Sequence, residues 1–536
     1  MTEMENTVAT SDRLRSSDER SPSGPGSHDR LKVGAVGLAG VLFMAVANAA
    51  PITAMTGNVP IAVGYGNGIG APAGYLVATI VLTLFAIGFV AMARYITTAG
   101  AFYGFVTHGL GQVWGMATGA LATMAYVVFE GSLIGIFSYF TNNALDRWLG
   151  IDVNWLLIAL IGIVAIGLFG YFDINIAAAF LGVTLICEIL LLGALALAVL
   201  VSGGGPDGLL PEAVNPINAF TSLDEGGGLG LKIDGQAIAA GSAAIGLFFA
   251  FWSWVGFETT AVYGEESKDP KRIVPRATLM AVVGLGLFYT FVSWMMIAGN
   301  GQRQAITKAN TDSIGLWVDL AEDKLGGAFI GDIYLFLIII GSFACGLAFH
   351  NAASRYLYAI GREIPATKHN LGATHGTHQT PHVASGVQSV ITLVLTLGFY
   401  FLAGDGGKPL EGAYIYQYGL LAILGTMAIL IVQAITSVAV ISYFHVKRAA
   451  PGDILTTGII PAVGGLGMVY VVWLLLDNLD FAGGAAAGSP FFKAIPWLVI
   501  GTFVLGLLAI LWLRARNRPV YDAIGRTVFE ETHERV

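Results

Sequence analysis

Apolar residues in this chain occur in long uninterrupted runs, without the alternation of strands or the one-sided pattern of surface helices. A helix that crosses a bilayer needs about 20 consecutive apolar residues. Twelve runs satisfy that requirement, and they lie at 33–57, 71–96, 113–141, 151–170, 174–202, 237–265, 275–299, 330–361, 382–404, 411–445, 454–477 and 492–514. The pattern therefore predicts an all-α integral membrane protein with twelve transmembrane helices.

The composition supports a membrane protein and argues against several other classes. Of the 536 residues, 55% are hydrophobic and only 12% are charged, and the mean hydropathy is +0.72. A soluble fold cannot enclose that much apolar surface, so most of it must face lipid. The two cysteines, Cys187 and Cys345, lie in apolar runs and indicate neither a disulfide framework nor a metal site. Catalytic and phosphate-binding motifs do not occur in a suitable context, so we expect no enzyme activity, cofactor, metal or nucleic-acid partner.

The basic residues indicate how the helices are oriented. With the N-terminus inside, the predicted inner segments carry twenty Lys and Arg residues and the predicted outer segments carry seven. This excess favours cytoplasmic N- and C-termini in a multi-pass protein of the inner (plasma) membrane. Residues 1–30 are polar and lack an apolar period, which predicts a disordered cytoplasmic tail. Residues 515–536 are the predicted cytoplasmic C-terminal tail.

Two of the predicted helices contain sequences that interrupt a helix. In the first, Pro51 follows Asn48-Ala49-Ala50, and proline removes an amide donor from the helix. In the sixth, Gly256 follows the aromatic run Phe251–Val255. Unwound backbone persists in a bilayer only where it lines a cavity or is buried in protein. Interrupted helices at corresponding positions of two halves indicate a transporter with inverted repeats, whereas Pro51 alone is also compatible with a simple kink.

The residues around the second interruption resemble those of the amino acid–polyamine–organocation superfamily. Gly256-Phe257-Glu258 is followed by Glu265-Glu266 and then by the basic run Lys268–Arg276, an order that is common in that family. The stretch Asn351–Pro365 is similar to the end of the family's eighth helix. The stretch Ala99–Gly115 resembles its connection between the second and third helices.

The resemblance runs from about residue 31 to 515 and implies the fold of the leucine transporter. That fold is a five-plus-five inverted repeat, here followed by two extra C-terminal helices. On this basis residues 31–202 are the first repeat, 203–236 an extracellular loop and 237–445 the second repeat. Residues 446–514 are then helices 11 and 12.

The same resemblance implies a substrate site near the middle of the membrane, beside the two interruptions. The residues predicted to line it are Asn48, Ala49, Ala50, Ile52, Thr53, Tyr126, Glu130, Trp252, Ser253, Trp254 and Gly256. Trp252 matches the family's aromatic gate over the substrate, and Trp254 faces another way because it is two residues further on. Asn48-Ala49-Ala50-Pro51 replaces the glycine-rich run of many relatives that bind an α-amino acid, which makes an amine without a carboxylate a further candidate.

Tyr126 and Glu130 are four residues apart and therefore share one face of the third helix. If this face lines the cavity, Glu130 would favour a cationic amine and Tyr126 would supply a hydroxyl and a ring. The alternative is a structural pairing remote from lipid. His350 is interpreted as a packed, hydrogen-bonded histidine, and Arg355 as a charge at the membrane interface. The inner-loop histidines have irregular spacing and predict no metal site: His369, His375, His378 and His382.

Glu188 and Glu258 are the predicted proton-coupling residues, because an unpartnered charge deep in a bilayer costs several kcal/mol and burial favours the protonated carboxyl. By resemblance, Glu188 lies near a lysine of proton-coupled relatives, where sodium-coupled relatives bind sodium. Its structural alternative is a protonated side chain bonded to backbone carbonyls. Glu258 follows the second interruption, where it could instead cap a helix N-terminus.

Together these features predict a secondary active transporter of amino acids or small organic amines. It would be proton-coupled and would work by alternating access around the interrupted first and sixth helices. Its partners would be a small-molecule substrate, protons and the lipid bilayer. An exchanger and a sodium-coupled symporter are the alternatives within this class. A channel or a membrane receptor on the same scaffold is less favoured, because the chain has neither a filter sequence nor a sizeable soluble domain.

Overall fold

The computed structural model describes residues 31–172, 174–222, 232–233, 236–237, 241–364, 366–402, 408–479 and 486–524. The predicted tail at 1–30 lies outside the described residues, as do the end of the tail predicted at 515–536 and parts of the loop predicted at 203–236.

The described part of the chain is almost entirely helical. In chain order its α-helices are α1 (Leu38–Ala49), α2 (Pro51–Tyr65), α3 (Ala71–Ala93), α4 (Ala101–Leu110), α5 (Gln112–Leu149), α6 (Trp155–Tyr171), α7 (Ile174–Val201), α8 (Ala243–Trp252), α9 (Pro270–Asn300), α10 (Gln302–Thr311), α11 (Gly315–Leu325), α12 (Ala328–Glu363), α13 (His382–Leu402), α14 (Leu421–Ile441), α15 (Ile460–Asp477), α16 (Pro490–Arg516) and α17 (Arg518–Ala523).

Shorter elements connect or extend these helices. Turns of 3-10 helix occur at Gly68–Gly70, Pro211–Val214, Pro216–Phe220 and Phe257–Ala261. Helix of π geometry occurs at Pro409–Leu420, Ser442–Val446 and Leu455–Ile459, and it continues into α14 and α15. Two short strands, β1 (Lys232–Ile233) and β2 (Gln236–Ala237), pair in antiparallel fashion.

Ten helical segments among the described residues are long and apolar enough to cross a membrane, so the predicted all-α membrane architecture is confirmed. Two predicted spans fall outside this set. Helix α6 has 17 residues, a length of about 25 Å, because Asn154 caps its first turn by accepting a hydrogen bond from the Leu156 amide. Helix α8 has only 10 residues and ends at the second interruption. Twelve crossings and the five-plus-five repeat therefore stay predictions.

The interrupted helices lie inside the bundle. Helix α5, with 38 residues, packs against α4, α12, α14 and α16. Helix α1 packs against α7, α9 and α12, and α2 packs against α8 and α10. Both halves of the first interrupted helix are therefore covered by neighbouring helices, and nearly all of α2 is buried. The fold places broken backbone in contact with protein and away from lipid.

Contacts at the helix ends and loops join segments that the sequence predicts to lie on the same side of the membrane. On the side predicted to be cytoplasmic, the Val36 amide donates to the Glu266 carbonyl at 2.9 Å, and the Lys447 ammonium donates to the His108 carbonyl at 2.8 Å. On the side predicted to be external, Arg147 pairs with Asp332 at 3.2 Å. The assignment of the two sides to cytoplasm and exterior stays a prediction.

Candidate functional site

The interruption between α1 and α2 is one residue wide and lies where the sequence predicts it. Ala50 adopts the left-handed conformation, with φ +40°, which costs a non-glycine residue about 1–2 kcal/mol. Pro51 then begins α2, where a missing amide is harmless because the first amides of a helix have no intrahelical partner. The local sequence therefore accounts for both the end of α1 and the start of α2.

Side chains from other helices accept or donate the hydrogen bonds that the first interruption leaves open. The Tyr289 hydroxyl of α9 donates to the Ala49 carbonyl at 2.8 Å. The Cys345 thiol of α12 donates to the Asn48 carbonyl at 3.2 Å. These contacts matter because no bilayer water can solvate an exposed carbonyl. Cys345 thus has a specific role beside the interruption.

Glu188 of α7 lies at the start of α2. Its Oε2 accepts a hydrogen bond from the Ile52 amide at 3.1 Å, and the side chain is 2% exposed. Gly341 of α12 makes room for the Glu188 side chain, because a Cβ atom at position 341 would lie 2.6 Å from Oε1 of Glu188. The carboxyl group therefore caps the positive end of the α2 dipole.

The second interruption packs directly onto the first. Helix α8 ends at Trp252, and Gly256 has φ +119° before the turn Phe257–Ala261 begins. A Cβ on Gly256 would lie 2.3 Å from Cβ of Asn48, so only glycine permits this approach. The Asn48 amide group also donates to the Thr259 hydroxyl at 3.0 Å. The two interruptions are in contact with each other across the centre of the bundle.

Glu258 stabilises the second interruption. Its Oε2 accepts from the Gly256 amide at 3.0 Å, and its Oε1 accepts from the Tyr126 hydroxyl of α5 at 2.7 Å. Tyr126 in turn stacks on Tyr356 of α12, with ring centroids 4.9 Å apart. The capping role that the sequence suggested for Glu258 is thus present, and a hydrogen bond links it to α5.

A network of polar groups holds α8 against α2 and the segment Pro409–Leu420. The Asn58 amide group donates to the Ser253 hydroxyl at 2.9 Å, and the Tyr418 hydroxyl donates to the Asn58 carbonyl oxygen. The Trp252 indole N–H donates to the Tyr418 hydroxyl at 3.1 Å. The Tyr75 hydroxyl bonds Ser253 at 3.0 Å. Every member of this network is buried.

A buried cavity lies between the two interruptions, mostly apolar with a few convergent polar groups, as small-molecule sites usually are. The volume open to the centre of a water molecule is about 20 Å³. Its lining residues are Asn48, Ala49, Ala50, Thr53, Ala54, Asn58, Leu133, Trp252, Ser253, Val255, Cys345, Phe349 and Tyr418. That volume holds about one water molecule, so a larger solute requires movement of the surrounding rings. Trp252 is the central ring, since Phe129 lies 4.5 Å and Phe349 lies 6.4 Å from its centroid.

The structure brings six of the predicted site residues to this cavity: Asn48, Ala49, Ala50, Thr53, Trp252 and Ser253. The other five, Ile52, Tyr126, Glu130, Trp254 and Gly256, do not line the cavity. Ile52 faces Glu188, Gly256 lies on Asn48, and Tyr126 bonds Glu258. Trp254 packs against Tyr75 and Tyr289, and its indole N–H donates to the Val282 carbonyl at 3.3 Å.

Glu130 lies one turn from Tyr126 but bonds a different partner. Its Oε2 is 3.0 Å from Nδ1 of His350, and it is not among the cavity-lining residues. Sequence reasoning missed Asn58, Phe349 and Tyr418. The sequence does contain an indication for Asn58. It is a polar residue among apolar ones, directly after residue 57, where the first helix is predicted to end.

An all-helical membrane protein with two interrupted helices in contact beside a buried central cavity belongs to the class of solute transporters. The chain is a member of the amino acid permease family, whose sequence model matches residues 40–476. That range includes both interruptions and every residue that lines the cavity. The family consists of permeases, which are membrane transport proteins.

Two relatives show what the chain is similar to. The branched-chain amino acid permease BcaP of Bacillus subtilis (strain 168) is 23% identical over 265 residues, which cover 49% of this chain and 49% of BcaP. The low-affinity putrescine importer PlaP of Escherichia coli (strain K12) is 24% identical over 164 residues, which cover 29% of this chain and 35% of PlaP. The chain thus spans about half the length of BcaP and about a third of PlaP in these matches.

Replacement of Gly256 should disrupt the contact between the two interruptions. Gly256→Ala combines a positive φ with a Cβ only 2.3 Å from Asn48, so we expect a loss of stability of about 1–3 kcal/mol. The measurement is the melting temperature of the purified protein in detergent. The matched control is Gly284→Ala in α9, where a Cβ would meet no atom within 4 Å and a helical alanine is favourable. Equal melting temperatures for Gly256→Ala and the wild type would contradict the close contact.

Proposed function

We propose that this permease is a secondary active transporter of amino acids or small organic amines. It works by alternating access, with the solute bound between the interruption at Ala50 and the interruption at Gly256. The observation that carries this proposal is the direct contact of the two interruptions beside a buried cavity. Small residues at Ala49 and Ala50 bring the cavity close to the main chain, where peptide groups offer hydrogen bonds to a polar solute.

The cavity favours a solute with at most one positive charge. Among the described residues its lining contains no Asp, Glu, Lys or Arg. Hydroxyl and amide groups come from Thr53, Asn58 and Ser253, and aromatic faces come from Trp252 and Phe349. An ammonium group could rest on these rings through a cation–π contact. A neutral amino acid or a monoamine with a small apolar body fits this chemistry better than a diamine, which would bring a second unpaired charge.

The conformation described here is closed at the end of the bundle that we assign to the cytoplasm. Arg355 of α12 is 1% exposed and donates to both carboxylate oxygens of Glu266 at 2.7 and 2.9 Å. Arg362 donates to Glu265 at 2.9 Å. In the transport cycle these buried ion pairs separate when the site opens to this side. Arg355, which the sequence suggested to be an interfacial charge, is therefore buried in protein as part of this closed end.

Protons are the proposed coupling ion, and Glu188 is the proposed carrier. Its carboxyl group is buried between α2, α7 and α12 and bonds the first free amide of α2. Protonation removes the negative charge from the α2 N-terminus, so the proton and the geometry of the interruption are linked. Glu258 is the second candidate, because it holds the other interruption through Gly256. Sodium coupling and obligatory exchange are the alternatives that the experiments below separate.

The proposed membrane arrangement has twelve crossings, with α6 and the interrupted α8 segment as the two that are shorter. It includes the five-plus-five repeat, two further helices at 446–514, and both termini in the cytoplasm. Contacts between segments predicted to lie on the same side of the membrane support this order of crossings. The excess of Lys and Arg in the predicted inner segments supports the cytoplasmic termini.

Trp252 should be needed for transport more than for folding. Trp252→Ala removes the ring that closes the cavity and its hydrogen bond to Tyr418, so we expect solute exchange to fall by about tenfold or more. The measurement is counterflow of amino acids and amines in proteoliposomes. The matched control is Trp114→Ala, since the Trp114 side chain is 47% exposed on α5. If Trp252→Ala fails to fold, Trp252→Phe keeps a ring, loses the indole donor and should show a smaller defect. A folded Trp252→Ala protein with wild-type exchange would contradict the proposed site.

Glu188→Gln should separate coupling from solute exchange. Glutamine mimics the protonated carboxyl, so it should abolish accumulation driven by a proton gradient while exchange stays near the wild-type rate. The measurement is solute accumulation with an imposed proton or sodium gradient, beside counterflow without a gradient. Proton-driven accumulation that persists in a folded Glu188→Gln protein would contradict the role of Glu188. Accumulation by the wild type with a sodium gradient alone would contradict proton coupling.

A further inference from the structure

A second buried ionisable cluster lies beside α5, and none of its residues lines the cavity. Glu130 Oε2 is 3.0 Å from Nδ1 of His350 in α12, and Nε2 of His350 is 2.7 Å from the Ser385 hydroxyl of α13. Glu130 and His350 have no exposed surface, and Ser385 is 4% exposed. Glu130 Oε1 has no hydrogen-bond partner among the described residues. The three residues form a continuous hydrogen-bonded chain across three helices.

A fourth helix, α6, packs against the three helices that carry these residues and has a glycine, Gly170, next to the hydrogen bond between His350 and Ser385. A Cβ on Gly170 of α6 would lie 2.6 Å from Nε2 of His350 and 3.0 Å from the Ser385 hydroxyl. An alanine at this position would therefore displace the imidazole from its contact with Ser385. The packing of α6 preserves the hydrogen bond between His350 and Ser385.

Ser385 lies both in the hydrogen-bonded cluster and in the lining of a groove between α6 and α13. The groove has a volume of about 390 Å³, and Ser385, Tyr171 and His382 are among its lining residues. The Tyr171 hydroxyl bonds Nε2 of His375 at 2.8 Å. His375 belongs to the loop between α12 and α13, which we assign to the cytoplasmic side. The lining of the groove is mostly apolar, and Tyr171 and His382 are its polar groups nearest to that surface.

The hydrogen-bonded series Glu130–His350–Ser385 can take up one proton without losing a hydrogen bond. In the deprotonated state, Nδ1–H of His350 donates to the Glu130 carboxylate, and Nε2 accepts from the Ser385 hydroxyl. A proton that arrives at Nε2 allows the Nδ1 proton to pass to Oε2 of Glu130. The carboxylic acid then donates to Nδ1, and Nε2–H donates to Ser385. The pair gains one proton and one positive charge, which neutralises a buried negative charge.

The other ionisable groups on the packed helices have partners elsewhere or lie at the groove. Arg355, five residues after His350, is held by Glu266, and Tyr126 donates to Glu258. Other ionisable groups on these elements include Tyr356 of α12, which stacks on Tyr126, Tyr171 of α6, His382 of α13, and Tyr418 of Pro409–Leu420, which donates to Asn58. Among the described residues, His350 is the only ionisable partner with a hydrogen bond to Glu130.

We propose that Glu130 and His350 form a second proton-binding site, which exchanges its proton with the cytoplasmic side through Ser385 and sets the dependence of transport on internal pH. The site binds one proton per chain and lies outside the solute cavity. Its control of transport depends on the proposed transporter function, whereas proton binding itself does not. The two can therefore be tested separately.

Infrared titration of the purified protein tests proton binding without any solute. The signal is the protonated-carboxyl band as pH falls, compared between the wild type and Glu130→Gln. We expect Glu130→Gln to lack one titrating carboxyl. Gly170→Ala removes no ionisable group but displaces the imidazole from its contact with Ser385, so it should change the pH dependence of that band. The matched control is Ser389→Ala, since Ser389 lines the same groove and its hydroxyl donates only to a backbone carbonyl. It should titrate as the wild type does.

Identical titrations for the wild type, Glu130→Gln and Gly170→Ala would overturn the site and leave the cluster as a structural contact. If Glu130→Gln does not fold, the comparison of Gly170→Ala with the wild type alone tests the proposed proton-binding site. Counterflow then tests the control of transport: exchange by Glu130→Gln should depend less on internal pH than exchange by the wild type, with the dependence that comes from Glu188 remaining. If exchange by Glu130→Gln depends on internal pH as strongly as exchange by the wild type, this inference is overturned. Exchange of amino acids or amines by the wild type in the same assay still supports the proposed function. A wild-type protein that exchanges no amino acid or amine would instead refute the proposed function.

Discussion

A peptide group released from a helix inside a bilayer has no water to bond, and this constraint shapes the centre of the molecule. At the first interruption the released groups bond Tyr289, Cys345 and Glu188. At the second, the Gly256 amide bonds Glu258. These partners come from helices α7, α9 and α12 and from the second interruption itself. The arrangement of the bundle around α1 and α8 follows from the need to supply them.

The same constraint links structure to transport. The groups that hold the interruptions are two carboxyls, a hydroxyl and a thiol, and carboxyls can exchange a proton. A change in the protonation of Glu188 or Glu258 alters the hydrogen bond to Ile52 or Gly256, and with it the geometry next to the cavity. Because Gly256 touches Asn48, movement at one interruption is transmitted to the other. In the proposed mechanism, solute binding and proton coupling therefore act on one pair of backbone segments.

The sequence predicted those features that depend on the bilayer or on local backbone chemistry. Long apolar runs specify helices, and Pro51 and Gly256 specify where helices cannot continue. Side-chain partners were not predictable, because they join distant parts of the chain: Tyr289 and Ala49 are 240 residues apart. Spacing placed Tyr126 and Glu130 on one face of α5, but it could not show that two different neighbours cover that face. The short α6 followed from a local cap at Asn154, within a predicted span that began at residue 151.

The central claim is that the transported solute binds where the two interruptions meet. Its most direct measurement is an electron cryo-microscopy structure in a lipid nanodisc, with a solute that the protein exchanges in counterflow. The account predicts solute density between Ala50 and Ser253, within hydrogen-bond distance of the main chain, and a Trp252 ring displaced to make room. Solute density at another location, with the cavity between Ala50 and Ser253 unchanged, would contradict the account.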